Sequence, residues 1–83
     1  MDMNQVKEAI HRMLIEGINP NDIELVKSDI NTATEELIEI QRVLNESFEK
    51  AKDNKDAHIY LPILGSQQQV LNSIYKMILN SIG

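Results

Sequence analysis

Cysteine is absent from the 83 residues. No disulfide framework, thiolate nucleophile or cysteine-based zinc site can therefore be built. Tryptophan is absent too, and aromatics make up only 4% of the chain, which leaves no platform on which single-stranded bases could stack. Basic charge is scarce: 8 Lys and Arg stand against 13 Asp and Glu, for a net charge of -5. That balance argues against a phosphate-binding surface and so against nucleic acid as a direct ligand. The three glycines, Gly17, Gly65 and Gly83, are isolated, so no glycine-rich loop is available to cradle a phosphate. No apolar run approaches the roughly 18 to 20 residues of a membrane span. The opening MDMNQVKEAIHRML intersperses acids and bases, without the apolar centre of a signal peptide. A cytoplasmic protein is the expectation. Frequent Ile and Asn beside scarce Ala and Gly suggest an AT-rich genome, such as that of a low-GC bacterium or its phage.

Catalytic patterns are missing as well. His11 and His58 are the only histidines, and neither has a histidine four residues away, so no HExxH zinc arrangement exists. Glu8 and His11 have E-x-x-H spacing, but di-iron bundles need two such copies with further helix-borne carboxylates. No Ser–His–acid or paired-carboxylate constellation is recognisable. The expectation is a non-enzymatic protein with no cofactor and no metal.

What is present is helical periodicity. Val6, Ala9, Ile10, Met13 and Leu14 recur at three- and four-residue steps, which places them on one face of a helix over about 3–16. Asp2 with Gln5 forms a D-x-x-Q capping box before it, and Gly17 is a natural terminator after it. In GINPNDIELV, Asn19 can cap, Pro20 can occupy the first helical position and Asp22 sits at the third, where the helix dipole favours an acid. Ile18 and Ile23 take the positions of a hydrophobic staple. From there Ile23, Val26, Ile30, Ala33, Leu37, Ile40, Leu44, Ser47 and Ala51 alternate steps of three and four, the 3.5-residue period of a coiled-coil seam. A single helix over about 20–52, roughly 50 Å long, is predicted. KDNKD at 52–56 reads as a polar turn. A third helix is predicted over about 59–81, with Pro62 compatible with its first turn but not its interior, and with a possible bend near Gly65. The fold class is all-α: a long antiparallel hairpin with a shorter first helix against it, a single domain of three helices that associates into a larger bundle.

Charge is distributed unevenly. Of the 21 charged residues, 13 acidic and 8 basic, only Lys76 lies beyond residue 56. The third helix carries a wide apolar arc of Ile59, Tyr60, Ile63, Leu64, Val70, Leu71, Ile74, Met77, Ile78 and Ile82, wider than one neighbour can cover. The first helix spans only about 22 Å, so the remainder of the arc points to a second protein chain, with another copy as the simplest candidate and a dimer as the first guess. The polar residues of this helix, Gln67, Gln68, Gln69, Asn72 and Asn80, are candidate register markers. The second helix offers a different surface, an acidic face of Glu35, Glu36, Glu39, Glu46 and Glu49. Within it, Glu39 with Arg42 and Glu46 with Lys50 have ion-pair spacing.

These features predict a small adaptor, inhibitor or regulator that works by protein–protein contact, self-association included, through the third helix or the acidic face. A membrane role is disfavoured, because interfacial helices carry Lys or Arg on their polar face and only Lys76 is available here. Three other classes fit length, acidity and lack of cysteine. One is a secreted helical hairpin of the type VII secretion class, although without Trp the chain has no W-x-G motif. The others are a bacteriocin-immunity-like bundle and an acidic mimic of DNA that blocks a DNA-binding protein.

Overall fold

The computed structural model describes residues 3–82, and the side chains of 4–81. It is all-α, with four helices: α1 (Met3–Glu16), α2 (Pro20–Ser28), α3 (Ile30–Lys52) and α4 (Ala57–Ile82). The Asp2 capping box and the side chain of Ile82 lie outside the described residues.

α1 ends where the sequence places its stop. Gly17 has a φ of 100°, a conformation that costs glycine little, and its N–H donates to the Met13 carbonyl at 3.0 Å. Asn19 then caps α2 by accepting from the Asn21 N–H at 2.8 Å, with Pro20 at the head of the helix. The Gly17 turn folds α1 and α2 against each other, which brings Arg12 onto Asp22. The guanidinium donates to both carboxylate oxygens, with Nη2 at 2.6 Å and Nε at 3.0 and 3.2 Å. The Asp22 side chain is only 8% exposed and that of Arg12 43%, so the bridge is wet on one side. The sequence suggested only the dipole role for Asp22. The pairing could have been read from spacing, since Arg12 and Asp22 stand five residues either side of Gly17.

The predicted helix over 20–52 is two helices. Asp29 interrupts it, with φ -146° and ψ 78°, and serves as both the end of α2 and the cap of α3. Its carboxylate accepts from the Thr32 N–H at 3.2 Å and from the Thr32 hydroxyl at 2.7 Å. On the α2 side, the Ser28 hydroxyl donates to the Leu25 carbonyl at 2.5 Å. The seam nevertheless faces inward throughout: Ile23, Val26, Ala33, Leu37, Ile40, Leu44 and Ala51 are buried, and Ile30 and Ser47 are half-buried. Periodicity reports which face is buried; it does not see a one-residue change of direction that keeps the phase.

α3 and α4 form the antiparallel hairpin. In the connecting turn Asn54 accepts from the Asp56 N–H at 2.8 Å through its side chain and from the Ala57 N–H at 3.0 Å through its carbonyl. α4 starts at Ala57, so Pro62 lies in its interior rather than its first turn. The proline removes the N–H that would reach the His58 carbonyl, and both residues are exposed, where water can satisfy that carbonyl. Gly65 stays helical, and a Cβ there would meet nothing within 4 Å. A half-buried amide pair ties the hairpin: Gln41 donates to Gln68 Oε1 at 2.7 Å and Gln68 donates back to Gln41 Oε1 at 2.8 Å. Each amide also donates to an Asn one turn on, Asn45 at 3.0 Å and Asn72 at 3.1 Å. Of the candidate register markers, Gln68 and Asn72 therefore do join a network between helices.

One cluster forms the core: Val6, Ala9, Ile10 and Met13 from α1, Ile23 and Val26 from α2, Ala33, Leu37, Ile40 and Leu44 from α3, and Leu71, Ile74 and Ile78 from α4. All α4 members come from its second half. The bundle is four helices deep only there.

Two measurements check these features. Asp22 is held below its ordinary 3.8 mainly by the hydrogen bonds from Arg12. The unfolded chain then binds the proton more readily, so the bridge's contribution is fully present above about pH 5 and is lost as pH falls through the lowered folded-state value. Asp22→Ala should lower unfolding free energy by about 1–2 kcal/mol at pH 7, the half-exposed Arg12 reducing the effect, and should flatten the acid limb of a stability–pH curve. Gln41→Leu alone should cost about 1 kcal/mol by stranding Gln68, whereas Gln41→Leu with Gln68→Leu should recover most of that loss in thermal melts.

Candidate protein-interaction site

A groove runs between α3 and α4 on the side away from the amide pair. On α3, Glu36, Ile40, Val43, Ser47 and Lys50 step by three and four residues, which puts them on one side of the helix, with Asn54 continuing the line into the turn. Tyr60, Ile63, Leu64 and Gln67 do the same on α4. At one end, α1 closes over it: His11 and Leu14 line a hollow of about 250 Å³ with Glu36, Glu39, Ile40, Val43, Leu44 and Gln67. Beyond Leu14 no α1 residue contributes. Farther along the same helices lies a second hollow of about 310 Å³, lined by Ser47, Lys50, Ala51, Asn54, Tyr60, Ile63 and Leu64. From Leu44 to Asn54 the open stretch is about 15 Å, close to three helical turns.

Its walls are apolar and wet. Val43 is 46% exposed, Tyr60 47% and Ile63 54%, three of the eight large apolar residues that the described surface exposes. The others, Ile15, Ile18, Ile38, Ile59 and Leu79, are not among the residues lining the groove. Val43 on α3 and Tyr60 and Ile63 on α4 thus bring apolar exposure together along the groove, whereas single exposed apolar residues are ordinary on any protein.

The predicted α4 arc is divided accordingly. Tyr60 and Ile63 lie exposed at the groove, Ile59 is exposed outside its lining, Leu64 is half-buried in its floor, and Val70 and Met77 are half-buried against the core. Leu71, Ile74 and Ile78 are sealed inside the bundle. These three are corrected from contact residues to core residues, because α1 and α2 already cover the second half of α4.

The predicted acidic face is more neutral than its composition. Glu39 and Glu46 share Arg42, the latter at 2.6 Å, so Glu46 pairs with Arg42 instead of Lys50. The Arg42 hydrogen bonds hold the Glu39 carboxyl below its ordinary range. Glu49 receives Lys52 at 2.9 Å, which raises the lysine. Glu36 faces the His11 ring at 3.4 Å and is half-buried at the groove. Of the five acids, Glu35 alone makes no ion pair among the described residues.

A polar cleft of about 380 Å³ at the α1–α2 turn contains Arg12 and Asp22, which satisfy each other. Among the described residues no group of three or more His, Cys, Asp or Glu could hold a metal ion, and no helix is long and apolar enough to cross a membrane. Compared with protein-family models, with curated proteins and with solved structures, the chain matches none.

The division of α4 has a direct readout. Leu71→Ala should cost about 2–5 kcal/mol in chemical denaturation, as a buried Leu truncated inside a packed core does. Ile63→Ser, at a half-exposed position, should cost well under 1 kcal/mol.

Proposed function

We propose that this is a non-enzymatic protein that acts by protein–protein contact, taking an amphipathic helix of a partner protein into the open α3–α4 groove. The reading is carried by one observation: beyond the hollow that α1 closes, the α3–α4 face continues for about three turns with a second hollow walled by exposed Tyr60 and Ile63. A helix with apolar residues at i, i+3, i+4 and i+7 is the element whose ridges fit such a furrow.

Electrostatics give the occupant a direction. The end nearest α1 carries Glu36 together with the negative end of the α1 dipole, Glu39 there being already held by Arg42. The other end carries Lys50. A docked helix is best served with its N-terminus and a basic first turn toward α1, parallel to α3. The partner is accordingly a protein segment that is apolar on one face and basic at its start.

The test is an NMR titration of the whole protein with a synthetic three-turn helix bearing apolar i, i+3, i+4 and i+7 positions and Lys in its first turn. A second peptide carries the lysines in its last turn. Shifts centred on Val43, Tyr60 and Ile63 are expected, stronger for the first peptide, with Ile63→Glu weakening binding roughly tenfold or more. Absence of binding at millimolar peptide, or shifts confined to another surface, would overturn the reading.

A further inference from the structure

Asp29 is the one residue between α2 and α3. No Gly or Pro lies between Asn21 and Lys52, and the inward-facing seam keeps its period across the break, with Ile23 and Val26 before it and Ala33 and Leu37 after it all buried. Local side-chain and backbone bonds compensate the interruption. Asp29 accepts from the Thr32 N–H and hydroxyl, and the Ser28 hydroxyl donates to the Leu25 carbonyl, an acceptor that a continuous helix would satisfy with the Asp29 N–H. In the bent chain that N–H reaches the Val26 carbonyl instead, at 3.3 Å.

We propose that Asp29 is a hinge at which α2 and α3 fuse into one helix, so that the α1–α2 unit leaves its own α3–α4 hairpin and packs on that of a second copy. Helical dihedrals at one residue convert the two forms. The moving unit stays intact, because the Arg12–Asp22 bridge lies wholly inside it. Contacts of Val6, Ala9, Ile10 and Met13 with Leu37, Leu71 and their neighbours in the core are re-formed between chains rather than lost, which is why exchange of an identical element is an inexpensive route to a dimer. The fused helix runs from Pro20 to Lys52, roughly 50 Å, with its 3.5-residue seam uninterrupted. The Asp29 side chain thus selects between a closed monomer and an exchanged dimer.

The experiment compares the unmodified chain with Asp29→Ala by light scattering and circular dichroism. It adds a cross-linking mixture of chains carrying His11→Cys alone with chains carrying Glu36→Cys alone, in both backgrounds. The chain has no cysteine of its own, and His11 and Glu36 meet only where α1 lies on α3. Asp29→Ala is expected to keep its helical content and raise the dimer association constant roughly tenfold or more, since each dimer relieves two caps. A short bismaleimide should then join His11→Cys chains to Glu36→Cys chains, because α1 of one now lies on α3 of the other. An Asp29→Ala protein that stays monomeric, that loses helicity, or that dimerises without this cross-link would overturn the hinge.

Discussion

A mismatch in length governs this molecule. α3 has 23 residues and α4 has 26, whereas α1 has 14, or about 35, 39 and 21 Å. A hairpin of that reach presents a two-helix furrow along its whole side, and α1 fills only part of it. The half of the hairpin beneath α1 and α2 therefore holds the core, including every buried apolar residue of α4. The half beyond them has apolar walls against which no further described helix lies. Fold and candidate site are two consequences of one shortfall.

Short helices need help to stay placed, since isolated segments of 14 or 9 residues are marginal in water. α1 and α2 obtain it from each other and from the hairpin. The Arg12–Asp22 bridge fixes the α1–α2 angle at one end, with Gly17 supplying the reversal. Asp29 fixes the α2–α3 angle at the other by holding Thr32. Neither acid is buried without a partner, so these polar contacts set direction without the desolvation penalty of an unpaired charge. Apolar burial supplies the driving force, while the two aspartates decide where it is directed.

Much of this was legible in the amino-acid order, and the illegible parts share a cause. Val6, Ala9, Ile10 and Met13, and the seam from Ile23 to Ala51, could be assigned to inward faces because helical periodicity is a local property. Gly17 and the Asn19–Pro20 start were legible because caps demand particular residues. Asp29 escaped notice because its neighbours keep the phase of the seam, and a cap inside an apolar rhythm resembles any other exposed acid. The α4 arc could be recognised as unusually apolar, yet periodicity could not divide it. Whether Leu71 or Ile63 is covered depends on how far α1 reaches along the hairpin, a tertiary matter. The same holds for Glu46, whose choice of Arg42 over Lys50 rests on side-chain geometry at equal sequence spacing.

The uncharged character of α4 follows from the same division. In its second half Leu71, Ile74 and Ile78 face the core, where burial excludes charge, and the one charged residue, Lys76, is exposed. At the middle of the helix Gln68 exchanges amide bonds with Gln41 and donates to Asn72. In its first half burial gives no such reason, since Ile59, Tyr60 and Ile63 stand half in water. A Lys or Glu at any of them would improve solubility and cost the monomer little. The apolar choice there is unexplained by the stability of a single chain, and surfaces of that kind carry an aggregation hazard. It becomes intelligible once the first half of α4 is a wall that another helix covers.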